Sequence, residues 1–170
     1  KKIHIFIVDD NKTFSVALKE DIEVAFNNLP IKIHSFETGE KCMEKFMQIV
    51  PELVILDYHL NGKYPDATDG IKVLDEIKLE HPGTHVVMLT NNDNIDIALK
   101  SFHHGAADYV VKTETQFRKI NNSIYNLLKL REVSQEARTY KRLMFVLSLL
   151  VALLAGGIIA VQLFTPPALH

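Results

Sequence analysis

Asp9 and Asp10 follow the apolar run Ile3–Val8, and Asp57 follows Leu53–Leu56. Thr90 follows His85–Leu89, and Lys112 follows Tyr109–Val111. Carboxylates gathered in one place repel one another unless a cation sits among them. A donor set made only of oxygens, with room left for water, suits Mg²⁺ or its substitute Mn²⁺. Such a cation lowers the charge barrier to bringing a phosphoryl group up to Asp57. Lys112 would neutralise a phosphoryl oxygen, and the Thr90 hydroxyl would donate to another. Attack of a carboxylate on phosphorus gives an acyl phosphate, for which the protein supplies position and charge. Taken singly, each residue has a plainer role. Asp-Asp-Asn after a strand is a good helix N-cap. Asp57 suits a turn, Thr90 a strand end, Lys112 a solvated surface and Tyr109 a core.

The elements that must bring these residues together are legible in the apolar pattern. Short apolar runs at Ile3–Val8, Ile31–Phe36, Leu53–Leu56, His85–Leu89 and Tyr109–Val111 suit strands buried on both faces of a parallel sheet. Between them the apolar residues recur at helical spacing. Phe14, Leu18, Ile22 and Ala25 form one set, and Cys42, Phe46 and Ile49 a second. Ile71, Leu74 and Ile77 form a third, and Ile95, Leu99 and Phe102 a fourth. Pro30, Gly39, Pro51, Gly70, Pro82-Gly83 and Gly105 punctuate the boundaries. Five strands alternating with five helices predict a doubly wound α/β domain. Sites in such sheets lie beyond the carboxyl ends of the strands, at the switch in strand order. The fifth helix, beginning near Glu114, shows no clear stop.

Composition narrows the function. Residues 1–125 carry 14 Lys/Arg against 19 Asp/Glu, a net of −5, and residues 126–170 carry 5 against 2, a net of +3. An acidic body lacks the clustered cations of a nucleic-acid binder, so no nucleic-acid partner is expected. The single cysteine, Cys42, excludes an intrachain disulfide and fits a reducing compartment. No apolar run stands at the N-terminus as a secretory signal would.

IVDDN, LVILD, MLT and ADYVVK, in this order and at these distances, resemble the receiver domain of bacterial two-component response regulators over roughly residues 1–125. The resemblance implies a flavodoxin-like sheet in the order 2-1-3-4-5 and a phosphoacceptor at Asp57. It implies that Asp10, Asp57 and the backbone carbonyl of His59 bind Mg²⁺, with Asp9 acting through water. It further implies that Thr90 turns toward the phosphoryl group while Tyr109 rotates inward. The partners implied are a sensor histidine kinase or a histidine phosphotransfer protein, together with an unidentified downstream protein. The only chemistry implied is self-phosphorylation with Mg²⁺ and slow self-dephosphorylation, not enzymatic turnover of a separate substrate.

Several positions depart from that pattern. YHLNGKYPDAT separates Asp57 from Asp69-Gly70, a longer loop than usual, with Gly62, Pro65 and Asp66 marking a surface excursion. Thr113 stands where proline is usual in a cis peptide. A non-proline cis bond costs about 3–4 kcal/mol, so this turn is expected to be trans and Lys112 to sit somewhat off its usual aim. Asn91 replaces a small residue, and His59 and Asn92 occupy positions that tune phosphoryl lifetime. His103 and His104 close the fourth helix before Gly105, where cations suit the helix dipole. As sequence neighbours they project apart, which disfavours a shared metal.

Leu143–Phe164 carries no charge in 22 residues. As a helix it would span about 33 Å, enough for a hydrocarbon core of about 30 Å. Arg138, Lys141 and Arg142 precede it, and the positive-inside rule places the receiver in the cytoplasm of a single-pass protein of the inner membrane. The predicted organisation is thus a receiver over 1–125, a helical linker over 126–142, a transmembrane helix over 143–164 and a tail over 165–170. Ser148, Ala152, Gly156 and Ala160 form a ridge of small residues suited to helix packing. Leu130, Val133, Ala137, Tyr140, Met144 and Leu147 form a short seam, and together these allow a homodimer. No second domain is recognised, so output is expected through protein contacts. A scaffold independent of phosphorylation is the alternative. An Asp-nucleophile phosphatase is disfavoured by His59, where such enzymes carry a second aspartate.

Overall fold

The computed structural model describes residues 2–60 and 68–164, with side chains in the helical tail described at 128–132, 140–150 and 153. The elements run β1 (Ile3–Val8), α1 (Lys12–Ala25), β2 (Ile31–Phe36), α2 (Gly39–Phe46), β3 (Leu53–Asp57) and α3 (Gly70–Glu80). They continue with β4 (His85–Thr90), α4 (Ile95–His103), β5 (Asp108–Val111) and α5 (Gln116–Phe164). The sheet is parallel throughout, in the order β2-β1-β3-β4-β5. The predicted α/β alternation and strand order are those observed. The contacts divide the chain into two compact units, Lys1–Leu127 and Leu128–His170.

Because side chains alternate across a strand, each apolar run feeds two cores. Phe6, Val8, Val54, Leu56, Val86 and Met88 share one cluster with Cys42 and Phe46 of α2 and with Ile71, Leu74 and Ile77 of α3. The intervening residues Ile5, Ile7, Leu53, Ile55, Val87 and Leu89 are equally buried on the opposite face. There Leu18 and Ile22 of α1, and Ile120, Ile124 and Leu127 of α5, are also shielded. Fully burying one such side chain contributes about 1.5–3 kcal/mol, and the two-sided burial fixes which end of the sheet each strand presents. Cys42 lies wholly inside, and burial pushes its thiol up to about 12, leaving it inert.

Two apolar sets differ from the sequence reading. Ala25 lies exposed, and Ser15 is buried in α1 instead. On α4, Ile95, Leu99 and Phe102 are 73%, 52% and 49% exposed, so that helix presents its apolar stripe to solvent and not to the core. Its buried residue is Ser101, whose hydroxyl bonds the Ile97 carbonyl at 2.8 Å. His104 caps α4, and its Nδ1 lies 2.6 Å from Asp75 Oδ1, which ties the end of α4 to the middle of α3. Gly105 follows at φ +93°, a conformation that favours glycine.

Of the long segment after Asp57, residues 61–67, including Gly62, Pro65 and Asp66, lie outside the described residues. Both of its ends are held. Leu60 is completely buried in the α2–α3 core, while the Thr68 amide and hydroxyl both donate to Glu40 Oε1 on α2, at 2.9 and 2.8 Å. These bonds hold the Glu40 carboxyl well below its usual range, at about 2. Asp69 then caps α3 by accepting from the Lys72 amide at 2.9 Å.

In the second unit α5 continues as one helix to Phe164, as the missing stop signal predicted. Among the described residues no helix is long and apolar enough to cross a membrane. Most side chains of the predicted span 143–164 lie outside the described residues, among them Ala152, Gly156 and Ala160 of the small-residue ridge. So do Val133 and Ala137 of the seam, Arg138 of the basic flank and the whole 165–170 tail.

Gly70 carries a close approach that positions the site. Its amide donates to the Tyr58 carbonyl at 3.2 Å, and a Cβ there would lie 2.2 Å from the Asp57 carbonyl oxygen and 2.9 Å from Tyr58 Cα. Both obstacles are backbone, so Gly70→Ala must displace the chain that carries Asp57. Overpacking of this kind costs about 1–3 kcal/mol. A lower urea midpoint at unchanged slope is expected, and a midpoint equal to wild type would show that the backbone yields without strain.

Candidate phosphoacceptor site

Sheet register delivers the polar residues to one edge. Val8 pairs with Leu56, Asp57 with Leu89, and Thr90 with Val111, so the strands stop nearly level. The residues that follow or end them are Asp9 and Asp10, Asp57, Thr90 and Lys112. Loop hydrogen bonds fix the exits. The Asp9 amide donates to Phe36 O at 3.0 Å, the Tyr58 amide to Leu89 O at 2.8 Å, and the Lys112 amide to Thr90 O at 2.7 Å.

The centre of the site is an ammonium between two carboxylates. Lys112 Nζ lies 2.7 Å from Asp9 Oδ2 and 2.7 Å from Asp57 Oδ2. Asp9 is completely buried and Asp57 is 2% exposed. The Lys112–Thr113 peptide is trans, as expected, but the expected loss of aim does not occur. Burial pulls the ammonium toward its neutral form, yet the charges and hydrogen bonds of Asp57 and Asp9 outweigh it and raise the Lys112 pKa. The Lys112 ammonium also lies 4.9 Å above the ring of Phe14, which packs in turn on Phe117.

The helix-cap reading of Asp-Asp-Asn falls to its third member. Asn11 is the N-cap of α1, accepting from the Phe14 amide at 3.1 Å, and its own amide donates to Asp9 Oδ1 at 2.9 Å. Asp9, Asp10 and Asp57 are left to form a cluster in which one oxygen of each lies within 4.8 Å of the others. Burial, and then the charge of Asp57, hold the Asp9 carboxyl above its usual range, with Lys112 offsetting only part. Three carboxylates against one ammonium leave two negative charges, a donor set and balance that fit a divalent cation such as Mg²⁺.

The remaining predicted residues surround this centre. The His59 amide donates to Asp57 Oδ1 at 3.3 Å, and its exposed imidazole stands edge-on to Tyr58. Thr90 is completely buried, and its Oγ1 accepts from the Asn92 amide at 3.1 Å. The half-buried Tyr109 packs against the core, while its hydroxyl donates to the Asn92 carbonyl at 2.8 Å. Burial raises the Tyr109 pKa, partly offset by a hydrogen bond with Thr90. Thr90, Asn92 and Tyr109 thus form one hydrogen-bonded group on the β4–β5 side.

A profile of the response regulator receiver domain matches residues 5–124. The chain belongs to that family. Among curated proteins this receiver is 32% identical to the luminescence regulatory protein LuxO of Vibrio campbellii over 106 residues, 61% of this chain and 22% of that protein. It is 27% identical to the DNA-binding transcriptional regulator NtrC of Escherichia coli over 108 residues, 64% of this chain and 21% of that protein. The chain therefore spans about a quarter or less of the length of these relatives. Among solved structures it resembles the CheY-like receiver domain protein from Methanospirillum hungatei, with TM-score 0.66, 22% identity, and coverage of 79% of this chain and 99% of that one. A putative LuxO repressor receiver domain from Vibrio parahaemolyticus matches with TM-score 0.66, 24% identity, and coverage of 79% and 96%. At those identities the structural likeness concerns the fold. Receiver domains of this family bind Mg²⁺ at an acidic pocket and interact with sensor histidine kinases or phosphotransfer proteins.

Sequence spacing places Phe14 in the core stripe of α1 and marks Gly70 only as punctuation, so neither is legible as part of the site. Neither carries a local signal that separates a support of the site from ordinary packing.

Lys112 is the only cation the described residues place between the two buried carboxylates. Lys112→Met should cost about 3–5 kcal/mol, because it leaves like charges facing each other out of water. Asp9→Asn should instead raise the melting temperature, since burial and the charge of Asp57 disfavour the charged form of Asp9. Thermal unfolding with and without Mg²⁺ checks both. Equal midpoints for Lys112→Met and wild type in metal-free buffer would deny the ammonium its structural role.

Proposed function

We propose that this chain is a phosphoacceptor of a two-component pathway, with Asp57 as the residue modified. The observation that carries this reading is the Lys112 ammonium held 2.7 Å from Asp57 Oδ2 beside two further carboxylates. A carboxylate oxygen of Asp57 attacks the phosphorus of a phosphohistidine on the partner. The P–N bond breaks, the imidazole leaves and takes up a proton, and an acyl phosphate remains. Lys112 trades its contact with the carboxylate for one with a phosphoryl oxygen. The Thr90 hydroxyl turns to donate to another, releasing the Asn92 amide and freeing Tyr109 to follow. Held by Asp10, Asp57 and the His59 carbonyl, with Asp9 acting through water, Mg²⁺ or Mn²⁺ would supply the positive charge that screens the incoming oxygens.

The reading extends to the second unit as a membrane anchor. Leu143–Phe164 carries no charge, and its described side chains are exposed, with Leu143 at 65%, Phe145 at 70% and Leu153 at 66%. In water an unbroken apolar helix surface of this kind is unfavourable, and a bilayer removes that cost. The basic flank of Lys141 and Arg142 favours a receiver in the cytoplasm of a single-pass inner-membrane protein. Pairing along α5 and output through protein contacts complete the proposal.

Incubating the full chain with acetyl phosphate and Mg²⁺ should add one phosphoryl group to the intact mass. That gain should be absent in Asp57→Asn and when the metal is chelated. No gain from either acetyl phosphate or a phosphorylated kinase would replace this reading with a scaffold independent of phosphorylation. For the anchor, the chain should stay with membranes through alkaline carbonate extraction, and deletion of 143–170 should release it. Extraction of the full chain would sink the anchor and leave the phosphoacceptor untouched.

A further inference from the structure

α2 and α3 border an open groove of about 470 Å³ whose lining includes none of the residues of the phosphoacceptor site. Its floor is Met43 of α2, Met47 at the C-cap of α2, and Leu79 of α3. Met43 packs against the core, so the floor is continuous with the interior, while Met47 and Leu79 are 69% and 82% exposed. Leu79 stands out on its helix, since Ile71, Val73, Leu74 and Ile77 are all buried beneath it. The rim consists of Glu40 and Glu44 on one side and Glu76 and Glu80 on the other, and no cationic side chain lines the groove. Glu40 stays ionised, because Thr68 donates two hydrogen bonds to its carboxylate.

These features select the occupant by chemistry. An anion or a nucleic acid is repelled by four glutamates. The carboxylates do not converge on a cation site, since the only such cluster among the described residues is Asp9, Asp10 and Asp57. A symmetric second copy would set glutamates against glutamates. An apolar ridge flanked on both sides by Lys or Arg satisfies floor and rim together. Methionine adapts its shape to different apolar side chains, and helix-in-groove recognition reads anchors at helical spacing. The lining runs from Glu40 to Met47 beside α2, a length of about two helical turns.

We propose that the α2–α3 groove is a docking site for a basic amphipathic helix of a partner protein. The groove sets partner choice by its own charge pattern, separately from the state of Asp57.

The test is fluorescence anisotropy of the full chain in neutral detergent with a labelled helical peptide of about 18 residues, built from Leu and Lys with one apolar stripe. A scrambled peptide of the same composition is the control for simple charge attraction. Saturable binding is expected, at least about tenfold tighter for the striped peptide than for the scrambled one. Leu79→Ser and the pair Glu44→Gln/Glu76→Gln should each weaken it about tenfold, with thermal unfolding confirming that these surface variants remain folded. Equal binding of both peptides, no binding, or binding indifferent to the substitutions would overturn the proposal. So would sedimentation showing that the chain pairs with itself through this face and that Leu79→Ser separates the pair, because the occupant would then be a second copy.

Discussion

The contact between the Lys112 ammonium and the carboxylates of Asp9 and Asp57 governs the arrangement of the receiver. Two ionised carboxylates with almost no access to water are tolerable only if a cation sits between them, and that cation must come from a third strand end. The parallel register makes this possible, because β1, β3 and β5 stop at the same level of the sheet. Asn11 binds the second oxygen of Asp9, and Phe14 underlies the ammonium, so the ion pair is fixed from two sides. The excess negative charge that remains fits the site to a divalent cation.

The chain after Asp57 is held by different forces at each end. On one side Leu60 is drawn into the core, and on the other Thr68 is bound by a carboxylate of α2. Gly70 then brings α3 against the backbone of Asp57 at a distance no side chain permits. The ends of the longer segment are thereby fixed, and Asp57 keeps its place. Opposite lies the group of Thr90, Asn92 and Tyr109, whose hydrogen bonds are local and exchangeable.

The receiver presents apolar side chains on two separate surfaces. One is the stripe of α4, and the other is the α2–α3 groove, where four glutamates frame methionine and leucine. Charge around a similar apolar area is what distinguishes one class of partner from another. The second unit includes the uncharged run Leu143–Phe164, whose described apolar side chains are exposed.

The fold was legible in the sequence because a parallel sheet buries both faces of its strands, which turns each strand into an apolar run ended by a polar residue. Asp9, Asp10, Asp57, Thr90 and Lys112 stood out for that reason, at the ends of runs and not within them. Helical spacing likewise placed Cys42, Phe46, Ile71, Leu74 and Ile77 correctly. Periodicity reports that a helix has an apolar face but not what that face meets, so it could not show that Ile95, Leu99 and Phe102 lie in solvent. Nor could spacing show that Asn11 alone caps α1, that Lys112 reaches two carboxylates at once over a trans peptide, or that Gly70 must lack a side chain. Those are distances between residues far apart in the chain. Local pattern settled which elements form and which residues end them, and only the packing of sheet against helix decided which of those residues touch.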